Sequence, residues 1–182
     1  PNLFNTWPHD EIATRFLARF AFNQGWHKVA IFSSKQPWEQ VQGNAFEDEI
    51  KKLGGTVVFK VEPQEGVKDL RTEALKMKNS NPDVVMFSNL INMGVAAKEL
   101  KNFDYLGHKV SILMDDTRVE AAQGGLDETI YVQAPKSKDW FVKAFTDEYK
   151  AEPGITADTA YDALILLAKA MNDARTVDRE KV

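Results

Sequence analysis

The 182-residue sequence carries 27 acidic and 23 basic residues and no cysteine. That length is enough to bury a core; the interspersed, mildly acidic charge gives no electrostatic footprint for nucleic acid or an anionic membrane, and without thiols neither a disulfide scaffold nor a thiolate metal site can form. No apolar run approaches the roughly 20 residues that cross a bilayer, and Pro1 opens without the basic-then-apolar pattern of an export signal, so a fragment of a longer chain is expected.

In chain order, Ile12, Phe16 and Phe20 recur every fourth residue with Ala13, Leu17 and Ala21 beside them, which predicts a first helix with one apolar stripe. HKVAIFSS (27–34) is the first strand candidate. Pro37 suits the start of a second helix, in which Val41, Ala45, Phe46, Ile50 and Leu53 form the stripe and Glu47, Asp48, Lys51 and Lys52 face water; Gly54 and Gly55 end it. GTVVFKV (55–61) is the second strand, Leu70, Ala74 and Met77 mark a third helix, and Pro82 stops it before the strand DVVMFS (83–88). Ala96, Ala97 and Leu100 belong to a fourth helix, and KVSILM (109–114) and ETIYVQA (128–134) complete five strands. The first, third and fourth strands are apolar nearly throughout, the mark of a parallel sheet covered on both faces, and the alternation predicts a layered α/β fold.

The alternation breaks after Pro135. Ser137 is positioned to cap a helix with Trp140, Phe141, Ala144, Phe145 and Tyr149 on one broad face, and a second helix follows with Ala160, Ala163, Leu164, Leu167, Ala168 and Met171 as its buried side. Two consecutive helices with no strand between them need another surface to cover. Left without one, Trp140, Phe145, Leu164 and Leu167 are expected to lie exposed, fold back on the sheet or pair with another chain.

In open parallel sheets, ligands sit outside the carboxyl ends of the strands. Here those ends carry SSKQPW, SNLINMG, DDTRVE and PKSKDW, so Ser34, Gln36, Trp38, Ser88, Asn89, Leu90, Asp115 and Asp116 are candidate rim residues. Each has a plainer role open to it: Trp38 as packing, Asp115 or Asp116 as the cap of a helix starting near Thr117. Catalysis is not expected. There is no Gly-rich phosphate loop and no G-x-S-x-G elbow, His9, His27 and His108 lie apart, and adjacent acids on an extended segment point opposite ways. No enzyme, cofactor or metal is called for.

The succession GWHKVAIFSSKQPWEQVQGNAFEDEIKKLGGTVVF, NPDVVMFSNLINMGVAAKELKNFDY, VSILMDD and GLDETIYVQAP, with AYDAL in a late helix, resembles the type I periplasmic binding proteins of the Leu/Ile/Val-binding kind, the receptors of ABC importers. The likeness lies in order and spacing and covers nearly the whole chain. It implies a three-layer α/β/α lobe with a mostly parallel, Rossmann-like sheet, one of two lobes that close on a solute. Residues 1–136 would be the second lobe, entered through NLFNTWP and left through IYVQAPK, and 137–182 a truncated helical return into the first.

The resemblance further implies a small-molecule ligand such as an amino acid, a permease partner in the membrane, a periplasmic or extracellular location, a monomeric intact protein and a fragment prone to self-association. By the same likeness Trp38 holds the place of a ligand-covering aromatic, Asn89 or Leu90 a second contact, and Asp116 the carboxylate for an ammonium group, with Asp115 the off-by-one alternative. Where the family often reads acidic-x-x-x-Tyr-Gly, this chain has Ser34 and Glu39 at the flanks. A ligand-sensing regulator on the same fold and a phosphoacceptor or flavin module are the other classes considered; the acidic pair follows the fourth strand rather than the first, which counts against the phosphoacceptor.

Overall fold

In the computed structural model, which describes residues 4–6, 10–64, 66–133, 135–178 and 180–181, helix α1 (Asp10–Asn23) leads into strand β1 (Lys28–Phe32), helix α2 (Pro37–Leu53) and strand β2 (Thr56–Val61). Helix α3 (Arg71–Asn79), strand β3 (Val84–Phe87), helix α4 (Met93–Asn102), strand β4 (His108–Ser111), helix α5 (Asp116–Ala122) and strand β5 (Ile130–Tyr131) follow, and then helices α6 (Asp139–Tyr149) and α7 (Ala157–Ala174). Of the expected hinge segments, residues 2, 3, 7, 8 and 134 lie outside the described residues, as does His9. By packing, the chain divides into two compact units, one within residues 9–133 and the other made of residues within 1–8 and 134–182.

The larger unit is a parallel sheet in the order β2-β1-β3-β4-β5. Alternation along its buried strands builds two cores. Ala30, Phe32, Val85 and Phe87 face α3, α4 and α5 through Leu70, Met77, Ala97 and Ala122, while Val29, Ile31, Val84 and Met86 face α1 and α2 through Leu17, Ala21, Phe46 and Ile50. The three-layer α/β/α arrangement expected from the apolar strands is therefore present. Edge strand β2 carries a bulge: Val29 pairs with Val57 but Ala30 with Phe59, so Val58 is the extra residue, and Phe59 and Val61 both pack on the first core.

Helix faces differ from the expected stripes in two places. In α1 the buried residues are Thr14, Leu17, Ala18 and Ala21, while Ile12 and Phe16 are exposed; small residues at 18 and 21 allow close approach, and Thr14 Oγ1 donates to Gln42 Oε1 at 2.5 Å across the α1–α2 contact. In α2 Val41 is exposed, and the buried face takes in Glu39, Gln42 and Glu49 along with Ala45, Phe46 and Ile50. Polar groups enter this face because each finds a partner there. The α2 start at Pro37 and its left-handed exit at Gly54, with φ 96°, are as expected.

The smaller unit contains α6 and α7. Ser137 lies one residue before the N-cap position of α6 and does not cap it; its Oγ donates instead to Asp158 Oδ2 (2.8 Å), linking the starts of the two helices. Thr6 Oγ1 donates to Thr159 O (3.1 Å). Phe141 packs edge-on to Trp140 and tilted against Phe145 and Tyr161, and it is buried. No residue of α7 is buried: Leu164, Ile165, Leu166 and Leu167 are all exposed, as is Trp140, while Phe145 is half-buried, so the apolar side expected to be buried is open, as expected of these helices when they have no surface to cover.

Two packing details yield tests. Glu49 is buried in α2, where Arg19 Nε donates to Oε1 at 2.5 Å and Arg15 Nη1 lies 3.6 Å from Oε2. The Arg19 hydrogen bond holds the Glu49 carboxyl below its ordinary value, against the opposing effect of burial. A depressed carboxylate stabilises the fold above its unfolded pKa and loses that contribution as pH falls through the lower folded value. Glu49→Gln is expected to destabilise by about 1–2 kcal/mol at neutral pH, with the gap to the parent closing below about pH 4; urea unfolding of both proteins between pH 7 and 3 measures it. At Gly94 of α4, an added Cβ would lie 2.8 Å from Ala121 Cβ and 2.9 Å from Arg118 O, so α5 sits against a bare Cα. Gly94→Ala is expected to lower stability by about 1–3 kcal/mol through overpacking, read in the same unfolding assay.

Candidate functional site

Because β2 and β3 flank β1, the chain leaves β1 toward the α1/α2 face and leaves β3 toward the α4 face. The connections diverge between β1 and β3, which opens the crevice where such sheets receive ligands. Ser33, Ser34, Ser88 and Asn89 at these two strand ends, and Ser111 at the end of β4, are fully buried. Asn89 Nδ2 donates to Ser33 O (3.0 Å) and Asn89 Oδ1 accepts from Asn92 N (2.9 Å), so one amide ties the loop after β1 to the start of α4. Ser33 Oγ donates to the Glu39 carbonyl (3.0 Å). Gly43 keeps α2 close: a Cβ there would lie 3.1 Å from Ser33 Oγ and 3.4 Å from Ser88 Oγ. The Ser88 hydroxyl is buried without a partner among the described residues.

Ser34 Oγ accepts the Gln36 N–H (3.0 Å) and shapes the turn into α2; Gln36 is its exposed N-cap residue and makes no side-chain cap bond. Trp38 follows in the first turn, 44% exposed, with Nε1 donating to Asp10 Oδ2 at 2.8 Å. The indole thus fastens the start of α2 to the start of α1 and leaves a large part of its surface open. Leu90 is half-buried and packs against both cores, the position of a residue seated over the end of the sheet.

The acidic pair separates into two roles. Asp115 is the N-cap of α5: Oδ1 accepts Arg118 N (3.0 Å) and Oδ2 is paired with the Arg118 guanidinium. Asp116, the first residue of α5, is exposed, and its side chain forms no hydrogen bond or ion pair within the described residues. Since Asp115 offsets Arg118, the net charge of this turn resides on Asp116. No hydrogen bond joins Trp38 to Asp116.

Two residues that sequence reasoning did not single out as contacts complete the rim. Glu39 is buried, accepts Leu90 N–H on Oε1 (2.9 Å) and has an Oε2 without a partner among the described residues; Arg118 Nε donates to Leu90 O (2.7 Å). Burial pushes the Arg118 guanidinium below its ordinary value, opposed by the nearby Glu39 carboxylate. Both had a sequence signal: 39, 42, 43, 46 and 50 share one helical stripe, which puts an acid in a buried register, and Arg118 stands three residues after Asp115 on the next turn. The fourth expected stretch, PKSKDW, belongs to the smaller unit. Two open depressions lined by Leu106, Tyr105 and Asp104 lie by the amino end of β4, away from the carboxyl-end rim. Among the described residues no cluster of ligating side chains could hold a metal, and no helix is long and apolar enough to cross a membrane.

Comparison with solved structures gives consistent likenesses to solute-binding proteins. A leucine binding protein of Thermotoga maritima matches with a TM-score of 0.76 at 20% identity, over 94% of this chain and 52% of that one. An ABC transporter solute binding protein from R. palustris in complex with benzoate matches at 0.73 and 18% identity, over 98% and 51%, and an ABC transporter substrate-binding protein from Desulfitobacterium hafniense in complex with Leu at 0.65 and 24%, over 91% and 50%. At these identities the likeness establishes the fold, and the chain spans about half the length of these relatives. A search among curated proteins gives no match. The family model described as periplasmic binding protein matches residues 1–182, and the chain belongs to that family.

Proposed function

We propose that this chain supplies the second ligand-contacting lobe of an extracytoplasmic solute receptor of an ABC importer, and that residues 137–182 return toward a first lobe. The receptor takes an amino acid or a related small polar compound between its lobes, hands it to a membrane permease and carries out no reaction. The observation that carries this reading is the makeup of the rim: an open indole at Trp38, a half-buried Leu90 and an unpaired carboxylate at Asp116, all at the carboxyl ends of one parallel sheet. The family match and the leucine named for two of the structural relatives support it.

Chemically, an ammonium group leaving water gives up several kcal/mol of hydration and needs a hydrogen-bonding anion in return. Asp116 is free to provide one, whereas Asp115 is already committed to capping and to Arg118. The Trp38 face adds packing area and cation-π attraction of about 1 kcal/mol. Closure follows when the solute makes more contacts in the closed than in the open arrangement.

In thermal-shift measurements on the full-length receptor, L-leucine or another amino acid is expected to raise the melting temperature by mass action, and benzoate, an anion without an ammonium group, is not. By titration calorimetry, Asp116→Asn is expected to weaken amino-acid binding at least about ten-fold without changing the unligated melting temperature. Unaltered affinity in that variant would remove Asp116 from the site. Trp38→Ala is expected to weaken binding about five-fold in the same assay.

A further inference from the structure

We propose that Glu39 and Arg118 are positioning residues that grip the backbone of Leu90 from two sides and hold the three ligand-facing loops as one rigid rim. Glu39 lies in the first turn of α2, after β1; Leu90 follows β3; Arg118 lies in the first turns of α5, after β4. Glu39 Oε1 accepts the Leu90 N–H at 2.9 Å, and Arg118 Nε donates to the Leu90 carbonyl at 2.7 Å. These two groups belong to the peptide planes on either side of one Cα, so together they fix both backbone torsions of Leu90. Arg118 is itself anchored by Asp115, its own helix cap.

Stability alone is a poor account of this arrangement. Leu90 lies beyond the last ladder residue of β3, Phe87, so neither of its backbone groups belongs to the sheet, and solvent would satisfy them in an open loop. Meeting them instead with a buried carboxylate whose second oxygen has no partner among the described residues is costly, because a desolvated charge needs full pairing to break even. What the pair does accomplish is geometric: bonds to charged groups are shorter and more directional than neutral ones, and these join exactly the three loops that carry Trp38, Leu90 and Asp116. Fixing a rim before the solute arrives removes the ordering cost from binding. This consequence for affinity rests on the receptor reading; the grip on Leu90 does not.

The test uses the full-length receptor and two readouts, amide hydrogen exchange at Leu90 without ligand and calorimetric affinity for L-leucine. Glu39→Ala is expected to speed exchange at Leu90 and to weaken L-leucine binding, each by about ten-fold. Glu39→Gln, which keeps an acceptor oxygen for the Leu90 N–H, is expected to restore both. Arg118→Lys keeps the charge beside Asp115 but not the forked donor set, and is expected to weaken binding with little change in melting temperature. Unchanged exchange and affinity in Glu39→Ala would overturn the proposal. So would a Glu39→Gln variant with parental exchange and lost affinity, since Glu39 would then act on the solute through its charge. If the parent receptor binds no L-leucine, the leucine reading falls while the exchange comparison still decides the grip on Leu90.

Discussion

A parallel sheet covered by helices on both faces has only its strand ends left for chemistry, and in the larger unit that constraint decides where every candidate contact lies. Strands β1 and β3 are buried along most of their length and β4 over its second half, so the side chains there serve packing. At their carboxyl ends the backbone must leave the ladder and change direction, and buried polar side chains take over the hydrogen bonding at Ser33, Ser34, Asn89 and Ser111, with the buried Ser88 beside them. Asn89 bridges two of the departing loops through a single amide. Order at the rim is thus an extension of order in the sheet.

One level out, charged groups continue what the amide begins. Glu39, Arg118 and Asp115 connect α2, the loop after β3 and α5, and Gly43 and Gly94 let the two helices come near enough for those bonds to form. Trp38 extends the connection to α1 through Asp10. In a two-lobe receptor each lobe contributes part of the solute's surroundings, and a wall that keeps its shape between open and closed states makes the affinity difference depend on what the solute touches rather than on loop ordering.

Much of this fold was legible because its strands are short, β-branched and apolar, with Gly and Pro at the breaks; β1 to β4 fall within one residue of the segments named from sequence at their starts, and Gly54 ends α2 as expected. Helix rotation was less legible. Periodicity placed Ile12, Phe16 and Phe20 on the apolar stripe of α1 with Leu17 and Ala21 beside them; Leu17 and Ala21 are buried, but Ile12 and Phe16 are exposed and Thr14 and Ala18 take their place, because hydropathy counts ring size while close helix packing favours small side chains and a paired hydroxyl. The candidate site was legible as a place before it was legible as a set of contacts. Strand ends located Ser34, Gln36, Trp38, Asn89, Leu90 and the acidic pair, but which aspartate caps α5 depends on a single backbone N–H, and sequence left that open. Glu39 was read as a flank since an acid at a buried register makes sense only once Leu90 N–H is seen opposite it.

The two edges of the sheet bear on how the protein behaves at high concentration. Strand β5 contributes only Ile130 and Tyr131, too short a template for another chain to add a strand. On the far side, the supernumerary Val58 throws the ladder of β2 out of phase with any regular newcomer. Both borders therefore resist the edge-to-edge stacking that seeds fibrils, and an abundant protein with this sheet keeps its strands to itself.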